Sequence, residues 1–416
     1  MVVTRGASVG LRVRAVCDGD ASLHLKNGSA EDDKGMRMRQ LGMRTLLLLW
    51  LAASAVAQSG PAVQLSHTTE SLRGVSAVSR EIVWASGTHG TYLRTTDGGR
   101  TWTPGQVPEA GAIDFRAVVA FSADEAFLMS AGPGEQSRIY HTGDGGQHWT
   151  LQFTNRDPKG FFDSMAFWDS KHGVVLGDPV PDEAGKLKFE VLLTDDGEQW
   201  RRVPAAQLPA ALEGEGAFAA SNTCVAIIPG DLDSNLWFGT GGKVARVFHS
   251  GDRGKTWEVF ETPMVHGPES AGIVSIAFRD SKRGVIAGGD YKHPNQDGSN
   301  LAFTNDGGKS WELSKLHPLA YFSAAVYDRR VDAEARRERA TELTAEIKGR
   351  KARVKAIPPE RWFLVGQDFV FDLRPPADPR RVSPKKGSGM KFNAASAFPQ
   401  GGVVVVGAAG TVAVVP

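Results

Sequence analysis

The chain has 416 residues, room for one large β domain or two ordinary ones, and its 48 glycines and 22 prolines favour many short strands and tight turns over long helices. Its formal net charge is +1, which excludes a chain-wide electrostatic binder of nucleic acid or of a membrane surface. Cys17 and Cys224 are the only cysteines, too few for a disulfide framework.

Residues 1–35 have no targeting character and are expected to be a non-native or unstructured pre-region, with translation starting at Met36, Met38 or Met43. Arg37, Arg39 and Arg44 then precede an apolar run, and Ala55-Val-Ala57 supplies small residues of the kind found before a signal-peptide cleavage site. The run from Thr45 to Ala57 is 13 residues, whereas a spanning helix needs roughly 20. No cysteine follows it to carry a lipid anchor. Residues 36–57 are therefore expected to be a signal peptide cleaved after about Ala57, with a periplasmic or secreted mature chain and no transmembrane segment. Of the two cysteines that leaves Cys224, in a strand-like apolar run where a buried, inert thiol is expected.

Beyond residue 58, short apolar runs alternate with polar turns, and one turn recurs. Thr95-Thr-Asp97-Gly-Gly99-Arg-Thr-Trp102 returns as Thr142-Gly-Asp144-Gly-Gly146-Gln-His-Trp149, and then as Thr194-Asp-Asp196-Gly-Glu-Gln-Trp200. It returns twice more as Ser250-Gly-Asp252-Arg-Gly254-Lys-Thr-Trp257 and Thr304-Asn-Asp306-Gly-Gly308-Lys-Ser-Trp311. The aspartates are spaced by 47, 52, 56 and 54 residues. Two strand-like segments precede each copy, a third runs into it and its tryptophan opens a fourth. Four antiparallel strands at a period near 50 residues describe one propeller blade.

First strands begin near Leu72, Phe115, Phe161, Gly216, Gly272, Tyr321 and Phe392, which predicts an all-β, seven-bladed β-propeller of four-stranded antiparallel blades over residues 58–416. The last unit has only three strands, so the orphan segment Ala62–Thr68 is expected to close it as the fourth. Unit six lacks the tryptophan turn and holds a charged insertion at about 329–360, read as a solvated helical or disordered segment.

The repeated turn has a structural job. Its aspartate and hydroxyl can cap backbone N–H groups, its glycines allow positive φ, and its tryptophan supplies a face to bury between sheets. Asp97, Gly99, Trp102, Asp144, Gly146, Trp149, Asp196, Trp200, Asp252, Gly254, Trp257, Asp306, Gly308 and Trp311 are assigned to it. Five copies on successive blades do not make one active site, and each offers too few oxygens for calcium. The pattern resembles the Asp-box, or bacterial neuraminidase repeat, known from sialidases, other glycoside hydrolases, sorting receptors and photosystem II stability/assembly factors. From about Leu65 to Val415 the chain is most similar to secreted bacterial relatives of the last group, departing at the insertion and at the missing turn of unit six. The resemblance implies a non-enzymatic binding or assembly scaffold. It assigns no photosystem role, since such relatives also occur outside photosynthetic organisms. Some of them carry a generic oxidoreductase label.

A sialidase-like site needs an arginine cluster and a tyrosine nucleophile, and of Tyr92, Tyr140, Tyr291, Tyr321 and Tyr327 only Tyr291 falls in a loop on the expected ligand side. Asp163, Asp178 and Asp290 are the candidates for a two-carboxylate hydrolase, with turn capping as the competing role. Gly239-Thr-Gly-Gly242 lacks the spacing and the following helix of a dinucleotide loop and reads as a strand connection, so no oxidoreductase cofactor is expected. The histidines are scattered, and no metal is expected. Arg73 and Arg116 share a column of the aligned first strands, and Arg138 and Lys292 lie in loops on the same expected face. These four could grip a carboxylate-bearing peptide or sugar, or pair with Asp114, Asp163 or Asp290. The reading is an exported, monomeric, non-enzymatic scaffold for a protein or peptide of an envelope or membrane assembly, with carbohydrate as a possible ligand. The alternative is a glycoside hydrolase on the same propeller.

Overall fold

The computed structural model describes residues 61–228, 234–316, 319–330, 360–375, 379–382 and 389–416. The expected pre-region, the expected signal peptide and residues 331–359 of the expected insertion lie outside them. The described chain forms seven antiparallel sheets. Their innermost strands are Leu72–Ala77, Asp114–Ala120, Phe162–Phe167, Val225–Ile227, Ala271–Phe278, Ala324–Tyr327 and Phe392–Ala397. Each innermost strand touches the next, and the last touches the first, so the ring is closed. This is a seven-bladed propeller, numbered here as blades 1 to 7 in chain order.

Each blade is a four-stranded meander in which even strands return antiparallel to odd ones. The turns after the first and third strands therefore share one face, and the connections after the second and fourth share the other. Blade 7 takes its outermost strand, Ala62–Gln64, from the start of the described chain, with Ala62 opposite Val414 and Gln64 opposite Val412. Apolar side chains of adjoining sheets fill the space between blades, as where Leu72, Trp102 and Ala85 meet Phe398, Val404 and Val412 between blades 1 and 7. Alternate positions of a strand face opposite neighbours, so second strands such as Val83–Gly87 and Val403–Gly407 are buried throughout.

The first strand of blade 4 begins at Val225, later than the Gly216 start expected. Glu215–Gly216 instead pairs with Gly241–Gly242, which in turn pairs with Gly272 and extends the blade 5 sheet to six strands. Only glycine fits that crossing: Gly272 has a φ of 151°, and a Cβ there would lie 2.3 Å from the Gly241 Cα. The Glu215 carboxylate, bound at 3.0 Å by Arg246 Nε and at 2.7 Å by the Thr240 hydroxyl, pins the crossing inside the protein.

All five repeated turns fold alike. In blade 1 the buried Thr95 hydroxyl donates to Asp97 at 2.9 Å and accepts the Gly99 N–H at 2.9 Å, while Asp97 Oδ1 accepts the Thr101 N–H at 3.0 Å. Equivalent bonds join Thr142 to Asp144, Thr194 to Asp196, Ser250 to Asp252 and Thr304 to Asp306. Trp102, Trp200 and Trp311 are buried, and Trp149 and Trp257 are half-buried. Four indole N–H groups find acceptors: Gln64, Gln152, Gly254 and Gly308. Trp149 Nε1 finds none among the described residues. Blade 4 puts Arg253 (φ 57°) where blades 1, 2 and 5 use Gly98, Gly145 and Gly307.

The Thr101 hydroxyl and N–H hold Asp97 down to about 2, and the N–H and ring of His148 do the same for Asp144. Asp196, Asp252 and Asp306 are also lowered, the last two against burial. A carboxylate whose folded pKa lies below its unfolded value stabilises the fold above that unfolded value and stops doing so as pH falls through the folded one. The turns' contribution to the melting temperature, followed by circular dichroism, should therefore be complete above about pH 4 and be lost between about pH 4 and about 2. A flat profile across that interval would show that the turns contribute nothing through ionisation.

Candidate functional site

The channel mouth on the face opposite the repeated turns is built from one recurring backbone device. In blades 1, 2, 3, 5 and 7 the pairing of first and second strands slips by one residue near the start of the first strand. The extra residues are Arg73, Arg116, Asp163, Val274 and Asn393, each four positions before the last paired residue of its strand. A bulge re-aims the side chain it carries and strengthens local twist. The residue after each bulge is small and buried (Gly74, Ala117, Ser164, Ser275, Ala394), since innermost strands converge on the axis and leave little volume there. Cys224 holds the matching position of blade 4, one residue before its first strand. It is free, 0% exposed and pushed up by burial, so its thiol acts as a small apolar filler.

Arg73, Arg116, Asp163 and Asn393 line a cavity of about 450 Å³, together with Asp178, Phe218, Tyr291 and Tyr321. Around the rim, cations stand on blades 1 and 2 and carboxyl groups on blade 3. Ser323 and Asn393 on blades 6 and 7 add uncharged polar groups. The aromatic wall includes Tyr291, which meets Phe218 edge-on at 6.2 Å.

Among the described residues neither arginine forms an ion pair, although Asp114 and Asp163 act on Arg116 through space. Arg116 Nη1 donates to the Ala219 carbonyl at 2.8 Å, while Arg73 Nε and Arg116 Nε are buried without acceptors. Burial and the neighbouring Arg116 lower Arg73 to about 10 despite Asp114. Arg116 is lowered by burial, against Asp114 and Asp163. Asp163 is 1% exposed, and its Oδ2 has no hydrogen-bond partner. Burial, then Asp178, raises its carboxyl well above the usual range, with Arg116 opposing. Asp178 is raised by burial against the Ala217 N–H, which donates to it at 2.9 Å.

The expected site residues divide accordingly. Arg73, Arg116, Asp163, Asp178 and Tyr291 meet in the cavity, whereas Asp290, Arg138 and Lys292 do not line it. Asp290 caps its own turn: the Lys292 N–H donates to it at 2.9 Å and His293 Nδ1 lies 2.8 Å away. Burial would raise it, but His293, Ser270 and the Lys292 N–H hold it at about 2. Arg138 lies at the start of a third strand, donating to the Glu135 carbonyl at 2.6 Å, and Lys292 is exposed in the following loop of blade 5. Tyr321, expected within a first strand, instead precedes it and reaches the cavity. Ser323 and Asn393 were not foreseen. A signal for them is present: a large apolar residue, any residue, then a small one, as in Phe115-Arg-Ala117, Phe322-Ser-Ala324 and Phe392-Asn-Ala394.

Among the described residues no cluster of three or more His, Cys, Asp or Glu is arranged to hold a metal ion, and no helix is long and apolar enough to cross a membrane. A family model described as photosynthesis system II assembly factor YCF48 matches residues 53–160. No curated protein matches the chain. The solved structure of YCF48 bound to a D1 peptide is 17% identical, with 87% of this chain and 98% of that one covered at a TM-score of 0.57. YCF48 from Cyanidioschyzon merolae is also 17% identical, covering 86% of this chain and 98% of that one at 0.53. A catalytically inactive virginiamycin B lyase from Staphylococcus aureus with quinupristin is 11% identical, covering 85% and 98% at 0.54. At these identities the structural likeness is one of fold, shared by a peptide-bound assembly factor and by an enzyme. The match over residues 53–160 sets the first blades beside the photosystem II assembly factor YCF48 family.

Proposed function

We propose that this chain is an exported, non-enzymatic propeller that binds a protein or peptide partner of an envelope or membrane assembly through an anionic group seated in the channel mouth. The observation that carries this reading is the pair of bulged arginines, Arg73 and Arg116, whose buried Nε groups have no acceptor among the described residues. Desolvating a guanidinium is costly unless an anion compensates, and Arg recognises carboxylates bidentately. The peptide carried by the solved YCF48 neighbour supports a peptide ligand. The five repeated turns are read as Asp-boxes, which stiffen the opposite face. The hydrolase alternative keeps Asp163, Asp178 and Tyr291 in one cavity but loses Asp290 as a partner across it.

The test uses tagged mature protein on solubilised envelope, followed by direct titration of the captured species. Arg73→Glu combined with Arg116→Glu should lower affinity at least 100-fold, since attraction becomes repulsion in a partly dry site. Circular dichroism should remain unchanged. Fluorogenic glycosides should show no turnover. Turnover lost on Asp163→Asn, or a partner held equally by the double variant, would sink the reading. The export reading is tested separately by N-terminal sequencing of the envelope-fraction protein, which should begin near Gln58.

A further inference from the structure

The cavity that receives the anionic group also carries two carboxyl groups that the anion reading leaves unused. Asp163 stands at the same bulge level as Arg73 and Arg116, one blade further round, and Asp178 is the extra residue where the pairing of the second strand with the third slips between Gly177 and Pro179. Ion pairing between buried charges offsets their desolvation, yet here the two cations and the two carboxyl groups line one cavity without pairing to each other. Asp163 Oδ2 is buried and unpartnered in its wall. An anion alone would satisfy blades 1 and 2 and worsen blade 3, because two carboxyl groups line the same cavity. An occupant with both signs of charge satisfies all three blades.

Resting on the anion reading, we propose that the mouth recognises a zwitterion: a carboxylate held by Arg73 and Arg116, with an ammonium beside it held by Asp163 and Asp178. A free amino acid, or acidic and lysyl groups close together on a peptide, carries this chemistry, and the cavity of about 450 Å³ admits either. The Phe218 and Tyr291 rings, which meet edge-on in the cavity wall, offer an apolar surface for the methylenes between the charges. The groups facing Asp163 are Asp178, Arg116 and the buried Cys224 thiol, which stays protonated. Burial, then Asp178, raises the Asp163 carboxyl, so an arriving ammonium favours its ionised form and the proton it sheds passes to the buffer.

Calorimetry with 6-aminohexanoate, hexanoate, hexylamine and a short peptide containing adjacent Lys and Glu tests this. One of the two zwitterions should bind at least tenfold more tightly than hexanoate and hexylamine. Its enthalpy should depend on buffer ionisation heat in the sense of proton release. Preference for 6-aminohexanoate identifies an amino-acid ligand, and preference for the peptide identifies a side-chain pair. Asp163→Asn should erase the preference for the zwitterion over hexanoate and the proton release. Equal binding of hexanoate and both zwitterions, lost on Arg73→Gln, overturns the zwitterion and keeps the anion reading. Binding of none of the four overturns the zwitterion and leaves the anion reading to the partner titration.

Discussion

A chain lacking residues 58–70 should unfold at a temperature lower by on the order of 10 °C, with a broadened transition and a fraction lost to aggregation. The segment does three things at once. Ala62–Gln64 completes the sheet of blade 7 by pairing with Val412–Val414. Gln64 then crosses to blade 1, accepting the Trp102 indole N–H at 3.0 Å and donating to the Gly98 carbonyl at 3.0 Å. Glu70 fastens the next corner, its carbonyl accepting the Gly410 N–H at 2.8 Å and its carboxylate accepting the Thr88 hydroxyl. Removal exposes Val412–Val415 as an apolar edge, the kind that recruits another chain. Gln64→Ala keeps the strand and removes only the two side-chain bonds, so it should cost about 1–3 kcal/mol. Unchanged melting of the truncated chain, measured by calorimetry, would show that the ring closes without the segment.

Arg361→Met should destabilise the protein by about 3–5 kcal/mol at pH 7, read from urea denaturation. Arg361 is 5% exposed and joins the return from residues 331–359 to three other parts of the chain. Its Nη1 meets Asp328 Oδ2 at 2.9 Å, its Nε and Nη2 meet the Asp372 carboxylate at 3.1 and 3.0 Å, and Nη2 also donates to the Pro416 carbonyl at 3.0 Å. The guanidinium lies 4.4 Å from the Phe363 ring centre. Methionine replaces the packing but leaves Asp328, which is 0% exposed, without its buried cation. Burial raises Asp372, but Arg374 and Arg361 outweigh it and hold the carboxyl below its usual value. Its contribution is thus complete above the unfolded carboxyl pKa and disappears as pH falls through the lowered one. The difference between wild type and variant should be largest near neutrality and shrink below about pH 4. A difference independent of pH would assign the loss to packing on Phe363.

The blades were legible because each turn needs particular atoms at particular spacings. A hydroxyl two residues before a carboxylate, then glycine able to take positive φ, then an indole, is a pattern few other structures require, and the Thr95 and Asp97 bonds show why. The closing strand was legible by elimination, since the last unit lacked a strand and Ala62–Gln64 lacked a sheet. The start of blade 4 was not. Glu215–Gly216 and Gly241–Gly242 carry three glycines with no side chain to signal pairing, and they pair with each other in the register of Gly216 with Gly241, 25 positions apart.

The mouth was half legible. Column alignment brought Arg73 and Arg116 together because strand ends can be matched by pattern alone. It did not separate Asp163, which rises into the cavity on a bulge, from Asp290, which bends back to its own turn and His293. Nor did it set aside Arg138 and Lys292, whose face was expected but whose reach was not. Both distinctions depend on where one extra residue enters a strand, and that is decided by how two strands pair.

Sequence alone determined the number of blades, the chemistry of their turns, the closure of the ring and the columns in which charge could gather. Those properties are set by residue type and spacing, which act locally along the chain. Only the tertiary structure decided that Arg73, Arg116, Asp163 and Asp178 share one cavity and that no ion pair joins them. Residues 105 positions apart, Arg73 and Asp178, meet because the ring brings blade starts to a common axis, where burial gathers their charges in one cavity.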